Sequence, residues 1–472
     1  MFKRLPLALF SAVLLSVLGG LAWWAGVLYP PIELNGVLTR ALGTPEMFRI
    51  IHSIFGVGQD GKNIAFVGTT LLWLALTVAL GFLPVLLAAI LLGLGLLFLV
   101  PWPVALGYGV VYALISLALT PFKTNSSRAT LASTSLSRAG RRNALVTLGG
   151  VGVALLGAGI TRGSRTGAVD LTLPSAPGKL PTGFTPVKDF FYVSKNLEIL
   201  DPKIIAANWT LEVNGEVQRP QSFTLEELRA LPSQTVDLTL ACISNPVGGP
   251  LLGLGRWTGV SFAEILKRVG LTANAKWIVW HAADGYTESL TLSEAASLEL
   301  LLAYEQNGAP LTPKHGFPLR ILIPGRYGMK QPRWLTRIEF AAEDRAGYWV
   351  TRGWSKTAFV ELTSRIDFPL ENSPVVKAAQ PIQIEGIAFG GLLPITKVEV
   401  STDGGQNWLE AQLEKPVSKY AWTLWSLLWT PEAGSHELKV RSYSSEKVQK
   451  EQEEDALPEG ATGYHHFIVN AS

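Results

Sequence analysis

The chain has 472 residues, a formal net charge of +3 and a mean hydropathy of +0.27. So small a charge excludes a protein that binds nucleic acid through a strongly basic surface. The single cysteine excludes a disulfide within the chain.

The excess of apolar residues is concentrated in the N-terminal third. Residues 5–28 and 64–122 contain no charged residue. At about 20 residues per membrane crossing, they predict one transmembrane helix and about three more. Prolines divide the longer run into Ile64–Leu83, Val85–Val100 and Val104–Thr120. Since the last two segments are short, a re-entrant pair is the alternative interpretation of them.

A fifth apolar segment, Asn143–Thr161, follows the paired arginines Arg141 and Arg142. The pair resembles a twin-arginine export signal, and it equally fits basic residues that hold a helix end on the cytoplasmic side. Both interpretations place the rest of the chain outside. We therefore expect a multi-pass protein of the cell membrane, in contact with lipid through residues 1–161 and with its C-terminal part on the extracytoplasmic side. Residues 162–186 are expected to form a linker.

Residues 187–363 mix short strands with short helices and predict an α+β domain. Thr224 and Ser261 are predicted to cap two helices, and Gly270 is predicted to end the second. The Asn-Gly pair within Trp209–Val217 predicts a tight β-hairpin. Residues 364–472 contain alternating strands and turns only, which is typical of an all-β sandwich of about 100 residues.

The cysteine is predicted to lie at the end of a strand. Val236, Leu238 and Leu240 alternate with polar residues up to Cys242, and an irregular loop rich in proline and glycine follows. A small buried side chain is the simpler interpretation of a free cysteine. A nucleophilic or metal-binding thiol facing the loop is the other.

An arginine is embedded in a second apolar run. Arg320 follows His315 by five residues, and its neighbours Leu319 and Ile321 are apolar. A buried guanidinium needs a partner, and it can grip a phosphate with two hydrogen bonds. The alternative is that Arg320 pairs with a glutamate while His315 caps a turn.

Three stretches, Leu238–Cys242, His315–Phe340 and Val398–Trp408, resemble in that order the sulfite oxidase family of molybdopterin enzymes. The resemblance implies a molybdenum-molybdopterin cofactor with Cys242 as its one protein ligand, since a soft thiolate suits that metal. It also implies Tyr286 as a catalytic residue and an immunoglobulin-like C-terminal sandwich that pairs subunits into a homodimer. The other cofactor-binding residues implied are Phe191, Tyr192, Val193, His315, Arg320, Gln331 and Arg333.

These observations favour a membrane-anchored, outward-facing molybdopterin oxidoreductase that performs two-electron oxygen-atom transfer on a small sulfur- or nitrogen-oxide substrate. The alternative is a catalytically inactive anchored ectodomain that serves adhesion or assembly. Sulfite-oxidising members of the family carry arginines where this chain has Ser194 and the Pro246-Val247 pair, which disfavours sulfite as substrate.

Histidine usage limits the electron path. His52 is the one histidine in the N-terminal third, and no Cys-x-x-Cys-His motif occurs, so we expect no haem. Electrons are expected to enter or leave through an external carrier, either a cytochrome or a quinone-linked protein.

Overall fold

In this computed structural model the described residues are 5–24, 58–80, 82–83, 85–96, 102–119, 183–196, 198–371 and 376–472. The chain divides into two compact units, one of residues 1–56 and 60–165 and the other of residues 57–59 and 166–472. The predicted fifth apolar segment, the arginines before it, His52 and most of the predicted linker lie outside the described residues.

The first unit is helical. Its described helices are Leu5–Trp24, Gly58–Leu80, Val85–Leu96 and Trp102–Leu119. Trp73 Nε1 donates a hydrogen bond to Ser16 Oγ at 3.0 Å, within a buried cluster that includes Leu15, Leu92 and Tyr112.

The prediction of about five transmembrane helices is wrong. Within the described parts of the chain, no helix is both long and apolar enough to cross a membrane. The helix Val85–Leu96 has 12 residues, and a helix of that length spans about 18 Å against about 30 Å for the hydrocarbon core of a bilayer. The prediction counted uncharged residues, and such a count does not fix where helices begin and end. The expected multi-pass membrane location and outward orientation rested on that count and are wrong with it.

The first half of the second unit is an α+β domain with two sheets. One sheet has the order β2-β1-β10-β5-β6, and the other has the order β3-β4-β7-β8 with β9 beside β7. Apolar side chains of both sheets and of the short helices Leu225–Arg229, Phe262–Val269 and Leu292–Ala296 share one core. The strands are β1 (Thr210–Gly215), β2 (Gln221–Thr224), β3 (Ser233–Ala241), β4 (Leu252–Ser261), β5 (Trp277–Ala282), β6 (Thr287–Thr291), β7 (Leu301–Gln306), β8 (Ala309–Pro310), β9 (Arg320–Leu322) and β10 (Leu335–Ala341).

Local sequence signals explain several of these elements. Thr224 and Glu227 form a reciprocal capping box at the start of the first short helix, as predicted. Gly270 has φ +59° and ends the second, also as predicted, whereas the side chain of Ser261 makes no capping hydrogen bond. The hairpin predicted at the Asn-Gly pair is wrong, because Asn214 continues β1, which pairs in parallel with β10.

The second half is a β-sandwich of two four-stranded sheets, ordered β11-β12-β16-β15 and β14-β13-β17-β18. Their facing side chains, with Trp425 and Trp429 among them, form a separate core. The strands are β11 (Thr363–Phe368), β12 (Ile382–Phe389), β13 (Ile395–Ser401), β14 (Leu409–Glu410), β15 (Gln412–Leu413), β16 (Thr423–Trp429), β17 (Gly434–Ser444) and β18 (His465–Ala471).

The sandwich supports β3 and the loop that follows it. Thr239 N donates to Tyr420 O at 3.0 Å, and Trp422 N donates to Thr239 Oγ1 at 3.0 Å. In the loop, Gly248 lies directly against the ring of His465, so that a side chain at position 248 would collide with it. The end of β3 is therefore held by both halves of the unit.

Candidate functional site

Cys242 follows the last residue of β3, where the alternating pattern predicts it. Its thiol is partly buried and lies 3.1 Å from Ser244 Oγ. Cys242 N donates to Leu251 O at 2.9 Å, and Asn245 N donates to Cys242 O at 3.1 Å. These main-chain bonds fix the end of the strand. Since Cys242 is the single cysteine of the chain, its sulfur is in no disulfide within the chain.

Tyr286 lies near this thiol, just before β6. Its hydroxyl donates to Met329 O at 2.6 Å. Burial raises the pKa of Tyr286 well above its ordinary value, and the nearby carboxyls of Glu288 and Asp284 and the thiol of Cys242 raise it further. The phenol therefore stays protonated at neutral pH and acts as a hydrogen-bond donor.

A short 3₁₀ turn, Gly328–Lys330, lies between the cysteine and the tyrosine. A Cβ added to Gly328 would lie 3.5 Å from Ala241 O, so the turn packs against the end of β3. Met329 supplies the carbonyl that binds the Tyr286 hydroxyl. The two chain segments that carry Cys242 and Tyr286 therefore both contact this turn.

His315, Arg320 and Arg333 form a group of basic side chains on one side of the domain. Arg320 Nη1 donates to His315 O at 3.2 Å, and Arg333 Nη1 donates to Lys314 O. His315 Nε2 donates to Val187 O at 3.1 Å. The structure thus brings together the three basic residues predicted for cofactor binding.

The two arginines of this group form no close ion pair, although the charge of Arg333 acts on the Asp201 carboxylate. Neither Arg320 nor Arg333 forms an ion pair within the described residues, and the buried Nε of Arg320 makes no hydrogen bond there. Burial, and next the charge of Arg333, lower the pKa of Arg320 to about 9. Burial and the same cations lower the pKa of His315 to about 3. The group therefore holds two cations and a neutral imidazole, and an added anion would be stabilised there.

The predicted loop Phe191–Val193 runs beside Arg333. Arg333 Nη2 donates to Val193 O at 2.9 Å, and the guanidinium carbon lies 4.8 Å from the centre of the Tyr192 ring. The Tyr192 hydroxyl donates to Asp201. Phe191 stacks on Phe190 with ring centres 5.5 Å apart. The loop residues thus line the arginine group through a backbone carbonyl and aromatic faces.

The side chain of Gln331, predicted to bind the cofactor, makes hydrogen bonds to the backbone. Gln331 Oε1 accepts from Ile323 N at 3.0 Å, and Nε2 donates to Arg326 O at 2.7 Å. The side chain is buried. Its amide therefore ties two backbone segments together.

Four charged or aromatic residues around Tyr286 have no counterpart in the sequence prediction: Lys330, Glu288, Lys195 and Tyr348. Lys330 Nζ binds the buried carboxylate of Glu288 at 2.7 Å. Lys195 Nζ lies 3.8 Å from Asp284 and 5.4 Å from the ring centre of Tyr348. The rings of Tyr348 and Tyr286 are 5.7 Å apart. Lys330 lies in the same short motif as Gln331 and Arg333, which is the one sequence signal that could have drawn attention to it.

Two further arginines, Arg256 and Arg352, bear on whether the site holds a cation for an anionic substrate. Arg256 forms two hydrogen bonds with Asp237, at 2.8 and 2.9 Å, and is occupied there. Arg352 lies 3.6 Å from the ring centre of Tyr348 and is exposed. One of the two therefore reaches the neighbourhood of Tyr286.

Comparisons with known proteins identify the family. Residues 198–349 match the model of the oxidoreductase molybdopterin binding domain, and residues 356–455 match that of the Mo-co oxidoreductase dimerisation domain. Over 286 residues the chain is 30% identical to sulfite oxidase of Arabidopsis thaliana, an alignment that covers 50% of this chain and 72% of that protein. The chain belongs to the sulfite oxidase family. It is a molybdopterin oxidoreductase of that type and takes a molybdenum-molybdopterin cofactor.

Other members of the sulfite oxidase family are longer relative to the shared region. The NADH nitrate reductase of Petunia hybrida is 29% identical, with 48% of this chain and 32% of that protein aligned. The mitochondrial sulfite oxidase of Mus musculus is 27% identical, with 56% of each chain aligned. The sulfane dehydrogenase SoxCD of Paracoccus pantotrophus has the same fold, with a TM-score of 0.54, 20% identity, and coverage of 63% of this chain and 85% of that chain.

The residues present fit this cofactor. Its phosphate requires fixed positive charge, and the guanidinium groups of Arg320 and Arg333 offer it. The charge of Arg333 also acts on the Asp201 carboxylate, whereas the buried Nε of Arg320 has no hydrogen-bond partner within the described residues. The metal requires a soft ligand, and the Cys242 thiol stands at a strand end close to Tyr286.

Proposed function

We propose that this protein catalyses two-electron oxygen-atom transfer to or from a small sulfur- or nitrogen-oxide substrate, with Cys242 as the molybdenum ligand. One observation carries the proposal: in a member of this family, a free thiol at a strand end shares a domain with the buried Arg320, whose Nε has no hydrogen-bond partner within the described residues, and with the partly buried Arg333 beside it. A module that served only adhesion or assembly would gain nothing from a buried guanidinium without an ion-pair partner.

The roles proposed for the cofactor pocket follow from the contacts. Arg320 and Arg333 bind the cofactor phosphate, and neutral His315 orders the backbone around them through Val187 O. Tyr192 and Val193 form the wall beside Arg333, with Phe191 behind them. Gln331 acts indirectly, because its amide holds the backbone of the segment that contains Arg326 and Ile323. The bound molybdenum supplies the two-electron redox chemistry.

Tyr286 is proposed to orient the substrate. Its hydroxyl remains protonated at neutral pH and lies in the neighbourhood of Cys242. In the protein alone the hydroxyl donates to Met329 O, and a substrate oxygen is the competing acceptor. The expected consequence is that Tyr286→Phe lowers kcat more than it raises KM.

The substrate is proposed to be neutral rather than a small anion. Ser194 donates to Asp201 at 2.8 Å, and Val247 packs near Gly463, so neither position supplies a cation. Arg352 is exposed, and water and salt screen its charge. A sulfoxide should therefore be used better than sulfite.

Electron transfer and assembly complete the proposal. An external redox protein, such as a cytochrome, is proposed to carry the electrons. The match of residues 356–455 to a dimerisation domain supports a homodimer formed through the sandwich.

The decisive experiment is metal analysis of purified wild-type protein and of Cys242→Ser. We expect molybdenum in the wild type, and in the variant an unchanged fold with no oxygen-atom transfer to or from sulfite, a sulfoxide or an amine oxide. Ser244→Ala is the matched control, since it removes the hydroxyl beside the sulfur and keeps the thiol. A Cys242→Ser protein as active as the wild type would exclude the ligand role.

A further inference from the structure

A buried ion pair lies close to Tyr286. Glu288 is fully buried, and one of its oxygens accepts a hydrogen bond from Lys330 Nζ at 2.7 Å. The same ammonium donates to Ser289 O at 3.0 Å, and Lys330 is buried too. The other oxygen, Glu288 Oε2, has no partner within the described residues. Since a buried pair of this kind often adds little net stability compared with apolar side chains, stability alone does not account for it.

The pair joins the same two chain segments as the Tyr286 hydroxyl. Tyr286 immediately precedes β6 and Glu288 is the second residue of that strand, and the two groups are close enough for the charge of Glu288 to act on the Tyr286 hydroxyl. The hydroxyl of Tyr286 reaches Met329 O, and the carboxylate of Glu288 reaches Lys330, the next residue of the turn. The strand and the turn are thus linked at two neighbouring points.

A third backbone segment, Gly347 and Tyr348, packs against Glu288 and the start of β6. A Cβ added to Gly347 would collide with Glu288 Oε1, and Tyr348 N donates to Thr287 O at 2.9 Å. The carboxylate is therefore held between the turn and the segment before Tyr348. Little space is left for it to take another position.

We propose that the Lys330–Glu288 pair positions the Tyr286 hydroxyl by fixing the Met329 carbonyl to which it is bound. This inference rests on the proposed function, because it assigns the pair to the same site. Lys330 and Glu288 are positioning residues and act through Tyr286. Loss of the pair frees the turn, the Met329 carbonyl moves, and the hydroxyl loses its fixed direction.

A double-mutant cycle tests this dependence. Glu288→Gln removes the charge and keeps the shape of the side chain. We expect kcat with the preferred substrate to fall about 10- to 100-fold, which is the size of effect that a misplacement of about 1 Å produces, while KM changes much less. In a Tyr286→Phe background the same substitution should have almost no further effect on kcat, because the group through which it acts is gone. Equal effects in both backgrounds would overturn the proposal.

A second measurement does not depend on turnover. The full-length protein is labelled with 3-fluorotyrosine, and the Tyr286 resonance is assigned by its loss in Tyr286→Phe. Glu288→Gln and Lys330→Met should each shift or broaden this resonance. The control is Glu294→Gln, which breaks the comparable Glu294–Arg326 pair in the same domain and should leave the Tyr286 resonance in place. A Tyr286 resonance that is unchanged in both Glu288→Gln and Lys330→Met would overturn the proposal.

The design separates this inference from the proposed function. If Tyr286→Phe itself leaves kcat unchanged, the proposed role of Tyr286 fails, and the fluorine resonance alone decides whether the pair positions the hydroxyl. If a single variant does not fold, the neutral double variant Glu288→Gln/Lys330→Met is used, since it leaves no unpaired buried charge. A displaced Tyr286 resonance in that variant supports the positioning role, and an unchanged one overturns it.

Discussion

Arg320 is expected to be a destabilising residue in the cofactor-free protein, and replacing it with methionine should make that form more stable. Its pKa is lowered from 12.5 to about 9, which corresponds to at most about 5 kcal/mol at roughly 1.4 kcal/mol per pH unit. Because the folded-state pKa lies below the ordinary one, the penalty is fully present below pH 9 and fades as the pH rises from 9 towards 12.5.

The substitution also removes favourable contacts. Arg320 Nη1 donates to His315 O, and the guanidinium lies 5.1 Å from the ring centre of Trp257. These contacts contribute about 1–2 kcal/mol each. The net expectation for Arg320→Met at pH 7 is therefore a gain of about 1–3 kcal/mol in unfolding free energy, with loss of bound molybdenum.

Arg326→Met is the matched control. Arg326 is also buried and burial lowers its pKa too, but it has an ion pair with Glu294 at 2.8 Å and donates to Thr357 O at 2.8 Å. Its removal should lower the unfolding free energy, because the ion pair that offsets part of the cost of burial is lost together with the hydrogen bond.

The assay is urea denaturation of protein from a host that does not make the cofactor, together with molybdenum content from a normal host. An Arg320→Met protein destabilised as much as Arg326→Met would refute the idea that the buried charge of Arg320 lowers the unfolding free energy of the cofactor-free protein and serves to bind an anionic ligand. Normal molybdenum content in Arg320→Met would refute its role in cofactor binding.

Three further predictions concern the substrate, pH and assembly. With an artificial electron carrier, kcat/KM for a sulfoxide should exceed that for sulfite, and the reverse order would contradict the proposed neutral substrate. Burial lowers the pKa of His465 to about 4, so His465 contributes stability that is present above about pH 6.5 and is lost as the pH falls towards 4. Across this range the unfolding free energy of the wild type should decline by about 3 kcal/mol more than that of His465→Gln. Parallel declines in the two proteins would refute this prediction. Light scattering on the purified protein should give twice the mass of the 51.0 kDa chain, whereas a single-chain mass would contradict a sandwich-mediated homodimer.

The sequence allowed correct prediction where the signal is local. The alternation of Val236, Leu238 and Leu240 placed Cys242 at a strand end, and the structure has β3 end one residue before it. An arginine among apolar residues implied burial, and Arg320 is buried in β9. The Thr224 cap and the terminating Gly270 were predicted from residue types that act within one turn, whereas the predicted cap Ser261 makes no capping hydrogen bond.

Prediction failed where contacts distant in sequence decide. The Asn214-Gly215 pair has the composition of a tight turn, but pairing with β10 extends the strand through both residues. The Lys330–Glu288 pair joins residues 42 positions apart, and no periodic pattern in the sequence indicates that they meet. The transmembrane prediction used uncharged runs as a measure of helix length, which the described helices do not support.

Fixed charge is distributed unequally between the two sides of the site, and this inequality bears on what each side can bind. On the cofactor side, Arg320 and Arg333 have no described ion-pair partner. On the Tyr286 side, Lys330 is paired with Glu288, and Lys195 lies 3.8 Å from Asp284. A phosphate entering the first side meets cations that need an anion, whereas a small anionic substrate beside Tyr286 must compete with carboxylates already in place. This distribution of charge supports the proposal of a neutral substrate beside an anionic cofactor. Asp284→Asn should raise kcat/KM for sulfite more than for a sulfoxide, and an equal or smaller rise for sulfite would contradict the proposal.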